Sequence, residues 1–247
     1  MNMTISWEIC CRIKVKNGVK CLIMELWLIR HGTTKANLQG RLQGRLDFPL
    51  GDQGKKEAYL LGRRLHEQRF SFFFCSPLQR ARQTASIIAA QGRTPKPIYT
   101  SLLAEYDWGV IQGMTKAEIG KRYPEILQRL QRDFHHAKIP GAEGMSGLFY
   151  RVRLFYALLS RIAGKRSGQE KVNPILIVSH GRFLQAFIIY FLKYNYKEFW
   201  PFSLAPASLT ILQGDFQRTR RLRLFNDTCH LSGMSRNVDE HNENMKI

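Results

Sequence analysis

A chain of 247 residues is long enough to bury the core of one large α/β domain and does not require a second. Its 44% hydrophobic and 23% charged residues are ordinary for a globular protein and argue against a disordered chain. Lysine and arginine number 38 against 19 acidic residues, a balance of +19 that attracts phosphorylated metabolites, nucleic acid or acidic membranes, or else simply solvates the surface. The five cysteines (Cys10, Cys11, Cys21, Cys75, Cys229) are odd in number and show no regular spacing. That pattern argues against a disulfide framework or a zinc site and favours a reducing, cytoplasmic setting. No apolar run approaches the ~18 residues that cross a bilayer.

In chain order, residues 1–23 carry scattered basic residues and no continuous signal-peptide core. They are read as an extension outside the domain, with Met24 as the expected start. Glu25 to Ile29 is short and apolar, which predicts a buried strand ending on Arg30 and His31, where Gly32 lets the chain turn. A helix is predicted from about Leu50 to Gln68, with Asp52 near its N-terminus. Phe70 to Cys75 predicts an aromatic strand. Ser76-Pro77 then predicts a helix start, serine as N-cap and proline first, running to Gly92. Pro95 to Leu103 is a short strand region. Thr115 opens a helix by a capping box with Glu118, and a second helix follows from Pro124 to about Phe134. Gly141 to Gly147 reads as a loop. Leu148 to Ile162 is a long helix, Pro174 to Ser179 a strand, and Phe183 to Leu192 a buried helix. Strands at about 207–213 and 218–225 close the domain, placed at 24–225, and residues 226–247 are expected to form a polar tail. Strands alternating with helices predict a three-layer αβα fold with a mostly parallel central sheet.

Two strands end in His-Gly: Arg30-His31-Gly32 and Ser179-His180-Gly181. Ligands bind at the carboxyl ends of strands in open α/β sheets, so the pair suggests one shared site. Phosphoryl transfer needs positive donors around the equatorial oxygens, an in-line nucleophile and a proton for the leaving oxygen. His31 is the candidate nucleophile and Arg30 its phosphate clamp. Arg80, one turn into the helix after the aromatic strand, and His180 are candidate further donors. Glu105 is the candidate proton donor, with Asp107 as a rival. Taken alone, Arg80 and Arg82 also read as solvated helix charges. His135-His136 invites a metal reading but has no carboxylate or cysteine at ligand spacing, so a solvated helix end is preferred. Arg218, Arg220, Arg221 and Arg223 fit a nucleic-acid surface or, more simply, an edge strand guarded by charge.

Several ordered blocks carry a resemblance. They are Arg30-His31-Gly32-Thr33-Thr34 with Asn37; Gln43-Gly44 with Asp47, Pro49 and Leu50; Ser76-Pro77-Leu78 with Arg80, Gln83, Thr84 and Ala85; Glu105 with Gly109 and Gly113; Glu143 with Arg151; and Ser179-His180-Gly181. Over about residues 24 to 215 the set resembles the histidine phosphatase superfamily, the phosphoglycerate mutase-like enzymes. The resemblance implies that His31 is phosphorylated, that Glu105 donates the proton, and that Arg30, Arg80 and His180 complete the phosphate pocket. It implies that Asn37, Gln43 and Gly44 contact phosphate or the rest of the substrate. Thr33 departs from the usual glutamate or glutamine, and Gly144 from the usual serine after Glu143. The short stretch between Glu105 and His180 resembles the phosphatase branch more than the mutases that use a bisphosphate cofactor. The expectation is therefore a metal-independent phosphomonoesterase with no cofactor, acting on a phosphorylated small molecule. A mutase or a basic phospho-ligand-binding pseudo-enzyme is the alternative. Nucleic acid is not favoured as a partner, and the oligomeric state is left open.

Overall fold

The computed structural model describes residues 23–134, 136–166, 172–195, 202–216 and 218–234. The first apolar run forms β1 (Met24–Arg30), followed by a four-residue helix α1 (Lys35–Leu38) and α2 (Asp52–Leu65). Then come β2 (Phe72–Cys75), α3 (Gln79–Gln91) and the two-residue β3 (Ile98–Tyr99). A pair of short helices, α4 (Lys116–Arg122) and α5 (Pro124–Arg132), precedes the long α6 (Gly144–Lys165). The chain ends in β4 (Ile175–Ser179), α7 (Gly181–Leu192), β5 (Leu209–Gly214) and β6 (Arg220–Asp227).

The six strands form one sheet in the order β3-β2-β4-β1-β5-β6. Strands β3, β2, β4 and β1 run parallel, while β5 pairs antiparallel with both β1 and β6. Side chains alternate across the sheet and so build a core on each face. Leu26, Leu28, Phe74, Ile175 and Ile177 pack beneath Val152, Phe155 and Leu159 of α6 and Phe183, Phe187 and Phe191 of α7. Ile29, Phe73, Cys75, Leu176 and Val178 pack against Leu61 and Leu65 of α2 and Ala81, Ala85 and Ile88 of α3. Each large apolar side chain buried in this way contributes about 1.5–3 kcal/mol. The three-layer fold and mostly parallel sheet read from the sequence are both present.

Register decides where the chemistry lies. Arg30 is opposite Ser179, and Cys75 is opposite Val178, so β1, β4 and β2 end in one row. The residues that follow, His31, His180 and Ser76, emerge side by side at the carboxyl edge.

Several boundaries differ from expectation. Ser76 and Pro77 do not start α3: the helix begins at Gln79 with Leu78 as N-cap and no side-chain cap. Pro95 to Leu103 yields only the two residues of β3 and a 3-10 turn at Ser101–Leu103. The 141–147 loop is shorter, because α6 already begins at Gly144. The expected polar tail at 226 cuts into β6, and beyond it Leu231 is buried against the second core. The rest of that tail, from 235, and the proposed 1–22 extension lie outside the described residues. Thr115 and Glu118 do form the capping box, and the arginine-rich β6 is an edge strand with Arg221 and Arg223 exposed.

Candidate active site

His31 leaves β1 held by backbone bonds on both sides: its N–H donates to Ser179 O at 3.0 Å and its carbonyl accepts from Ala207 N at 3.2 Å. Gly32 donates to Thr84 Oγ1 at 3.1 Å. A side chain at Gly32 would bring a Cβ to 2.5 Å from Gly54 O, so only glycine lets this turn lie on the start of α2. His31 Nδ1 lies 2.7 Å from Gly32 O. A carbonyl only accepts, so Nδ1 carries the hydrogen and Nε2 carries the lone pair. That Nε2 faces Arg80 Nε at 3.2 Å. The same Arg80 Nε lies 3.2 Å from His180 Nδ1. A single N–H is therefore shared by two imidazole acceptors, both unprotonated where they meet it. His180 Nε2 then donates to Ser76 Oγ at 2.7 Å.

Arg80 is fully buried. Its two outer nitrogens donate to the carbonyls of Leu46 (2.8 Å) and Gly44 (2.7 Å), so the 43–47 loop wraps the guanidinium. Burial lowers its pKa to about 10, which leaves it cationic at neutral pH. Burial is also the main reason that His31 and His180 titrate well below 6.5, with the Arg80 and Arg30 charges adding to the effect. Both imidazoles are neutral at pH 7, and a neutral Nε2 is what a nucleophile needs. Arg30 donates through Nη1 to Leu204 O. Its Nε is buried and has no protein partner, a donor left for a ligand oxygen.

Glu105 is fixed by three backbone N–H groups. Oε1 accepts from Tyr106 (2.8 Å) and Phe183 (3.2 Å), and Oε2 from Arg182 (3.2 Å). A Cβ built on Gly181 would be 3.6 Å from Arg30 Nε and 3.9 Å from Glu105 Oε2, so the carboxylate and the guanidinium flank the same glycine. Asp107 is engaged elsewhere, accepting from Gly109 N at 3.0 Å and pairing with Arg45 at 3.6 Å. Arg151 clamps the loop from below. It pairs with Glu143 at 2.6 Å and donates to the carbonyls of Leu102 and Ala104 at 2.8 Å each.

Residues 26–228 match the family description "Histidine phosphatase superfamily (branch 1)". The chain belongs to that superfamily. Among its relatives, phosphoserine phosphatase 1 of Hydrogenobacter thermophilus is 31% identical over 209 residues, 85% of this chain and 95% of that protein. A 2,3-bisphosphoglycerate-dependent phosphoglycerate mutase of Cytophaga hutchinsonii is 32% identical over 176 residues, 68% of this chain and 77% of that one. The crystal structure of the α-ribazole phosphatase of Shigella flexneri superimposes with a TM-score of 0.72 at 28% identity, covering 83% of this chain and 97% of that one. The histidine phosphatase expected from the sequence blocks is thus what the chain is.

Within this histidine phosphatase, the sequence-derived residues divide by position. His31, Arg30, Arg80, His180 and Glu105 gather at the sheet edge. Gln43 is buried beside them with its Oε1 unbonded, and Gly44 lends its carbonyl to Arg80. Gly44 has φ +53, and a Cβ there would lie 2.1 Å from Gln112 Oε1. Asn37 sits in the capping box that opens α1: its Oδ1 accepts from Thr34 N and Oγ1 at 3.1 and 2.9 Å. The Gly144 departure is a backbone matter, since φ is +68 there. His136 pairs with exposed Asp133 at 2.8 Å, while His135 lies outside the described residues. Among the described residues, no three His, Cys, Asp or Glu side chains gather at metal-binding distance, and no helix is long and apolar enough to cross a membrane.

Two residues escaped the sequence reading. Glu57 is buried on α2 and accepts from Thr33 N (2.8 Å), Thr33 Oγ1 (2.8 Å) and Gln53 Nε2 (2.9 Å). It anchors the residue two beyond His31 and so absorbs the Thr33 departure. The available signal was an acid inside the apolar stripe of Gly54, Ala58, Leu61 and Leu65. Ser76 was read as a helix cap, whereas its hydroxyl serves His180.

Proposed function

We propose that the chain hydrolyses phosphomonoesters through a phosphohistidine at His31. The neutral, correctly tautomeric Nε2 of His31 carries this reading: Gly32 O holds the proton on Nδ1, and burial among arginines keeps the ring uncharged. The Nε2 lone pair attacks phosphorus, an N–P bond forms and the ester P–O bond breaks. Arg30, Arg80 and His180 surround the transferring oxygens. Glu105 supplies the proton to the leaving alkoxide and then takes one from the water that cleaves the N–P bond, releasing inorganic phosphate. Guanidinium groups provide the positive charge that a metal provides in other phosphatases. Gln43 and Gly44 shape the pocket through the loop that holds Arg80, and Asn37 acts through the fold of α1. The substrate is a phosphorylated small molecule and the setting cytoplasmic; neither nucleic acid nor a cofactor enters the reaction.

Phosphoglycerate mutase activity is the second reading, favoured by the 32% identity to the Cytophaga hutchinsonii mutase. One experiment separates the readings. The expected result is p-nitrophenyl phosphate hydrolysis that is unaffected by EDTA and abolished in His31→Ala, with acid-labile phosphate on the wild-type protein. Loss of activity in EDTA refutes the metal-free route, and unchanged activity in His31→Ala removes the nucleophile. Isomerisation of 3-phosphoglycerate in the presence of 2,3-bisphosphoglycerate, outpacing phosphate release, makes it a mutase. No turnover of any ester leaves a binding protein.

A further inference from the structure

The phosphate clamp and the proton donor sit on different pieces of the chain. The 43–47 loop holds Arg80 through the carbonyls of Gly44 and Leu46. That loop is also tied to α3, the helix that carries Arg80: Asp47 accepts from Gln79 N, and Gln83 Oε1 accepts from Leu50 N at 2.8 Å. Loop and helix thus form one unit. Glu105 belongs to a second unit, the 102–107 segment held by Arg151 of α6. Clamp and donor act on one ester, so the spacing between the two units has to be set within a fraction of an ångström.

Arg45 spans them. It lies between Gly44 and Leu46, and its guanidinium reaches Glu143 Oε2 at 3.1 Å and Asp107 Oδ2 at 3.6 Å. Its own N–H is seated on Gln112 Oε1 at 2.6 Å. Glu143 is a prepared acceptor. Its side chain is only 10% exposed, Oε1 accepts from Asp107 N (3.1 Å) and Arg151 Nη2 (2.6 Å), and Oε2 accepts from Arg151 Nε (2.9 Å). A carboxylate has about four acceptor sites, and Arg45 fills the fourth. The first three bonds belong to the Glu105 unit, so the fourth joins the phosphate unit to it. The Arg45 side chain is itself 41% exposed, and a pair with one partner so open adds little to folding stability. What it fixes is position.

We propose that Arg45 is a positioning residue that couples the two halves of the reaction, holding the Arg80 cradle against the Glu105 loop through Glu143. This rests on the phosphomonoesterase reading and adds to it the residue that sets the spacing between phosphate clamp and proton donor. Two readouts follow the two units. Competitive inhibition by inorganic phosphate reports the cradle. The ratio of kcat/KM for p-nitrophenyl phosphate to that for phenyl phosphate reports proton donation, because phenolate leaves poorly without a proton. Arg45→Met should raise the phosphate Ki and the ester ratio together, each by about fivefold or more, the scale of one lost charge-assisted hydrogen bond. Arg45→Lys, which reaches Glu143 with a single ammonium, should recover part of both. In a Glu143→Gln background, Arg45→Met should add less than about twofold to either readout, because the partner charge is already gone. Full additivity of the two substitutions overturns the proposal. So does an Arg45→Met protein with both readouts within about twofold of wild type, whatever its Tm, since that is an ordinary surface ion pair. A change in one readout alone assigns Arg45 to one unit and overturns the coupling. In each of these cases wild-type turnover spares the phosphatase reading, whereas no turnover by the wild type overturns both.

Discussion

Replacing Glu57 tests whether the nucleophile is positioned from outside the pocket. Glu57 is buried on α2 and accepts both the N–H and the hydroxyl of Thr33, two residues beyond His31. In Glu57→Gln, one oxygen remains for the Thr33 N–H, and the hydroxyl can turn to accept from the new amide. The cost is about 1 kcal/mol of charge assistance. In Glu57→Ala, the Thr33 N–H is left buried and unpaired, at about 1–3 kcal/mol, and the carboxylate's volume is also lost. Taking about 3 kcal/mol for the alanine variant, Tm should fall by about 6–12 °C in a chain of this size. The loop carrying His31 is freed as well, and a displacement on the order of 1 Å can cost 100-fold in rate. Thermal melting and steady-state kinetics together check the argument. The expected order in kcat is wild type, then Glu57→Gln, then Glu57→Ala, with the last down about tenfold or more and KM little changed. A Glu57→Ala protein that melts early but keeps kcat within about twofold of wild type refutes the positioning role.

The two buried histidines make stability depend on pH. The unfolded chain protonates them near 6.5, whereas the folded chain does so only well below that. Stability should therefore fall as pH drops below about 6.5, by up to about 1.4 kcal/mol per unit for each histidine, and His31→Asn should reduce the slope measured by urea unfolding. Glu105→Gln should slow alkyl phosphates by about 100-fold or more and p-nitrophenyl phosphate far less, because nitrophenolate leaves without a proton. Arg151→Met, which unclamps the Glu105 loop, should show the same dependence on leaving group at smaller size; equal losses on both esters would mean the loop does not place Glu105. Ser76→Ala leaves the His180 Nε2 proton without its acceptor at a buried site, so Tm should fall by several degrees and kcat with it.

The central elements were readable because periodicity and composition report burial. β1, β4 and α7 carry runs of apolar residues that have nowhere to go but the core. Their ends were marked by His-Gly, and so the shared edge of His31 and His180 followed from fold class alone. Family blocks supplied Arg80 and Glu105, which local pattern could not distinguish from surface charge. What stayed hidden depends on contacts distant in sequence. Ser76-Pro77 has the form of a helix start, but the Ser76 hydroxyl is taken by His180 and the helix waits until Gln79. Glu57 reads as one polar residue on a helix until Thr33 is folded against it. The tail was placed too early because Leu231 is a lone apolar residue in polar sequence, and its pocket is made by α2.

The placing of β4 between β1 and β2 has a consequence for how activity is acquired. The two amino-terminal strands are not neighbours in the finished sheet; they are joined to each other only when a strand some hundred residues beyond β2 slots between them. Half of a ribosome-bound chain therefore holds His31 and Arg80 but not the second imidazole, nor the strand that aligns them. Catalysis switches on with the closing of the sheet, so that phosphate release during refolding times the insertion of its central strand.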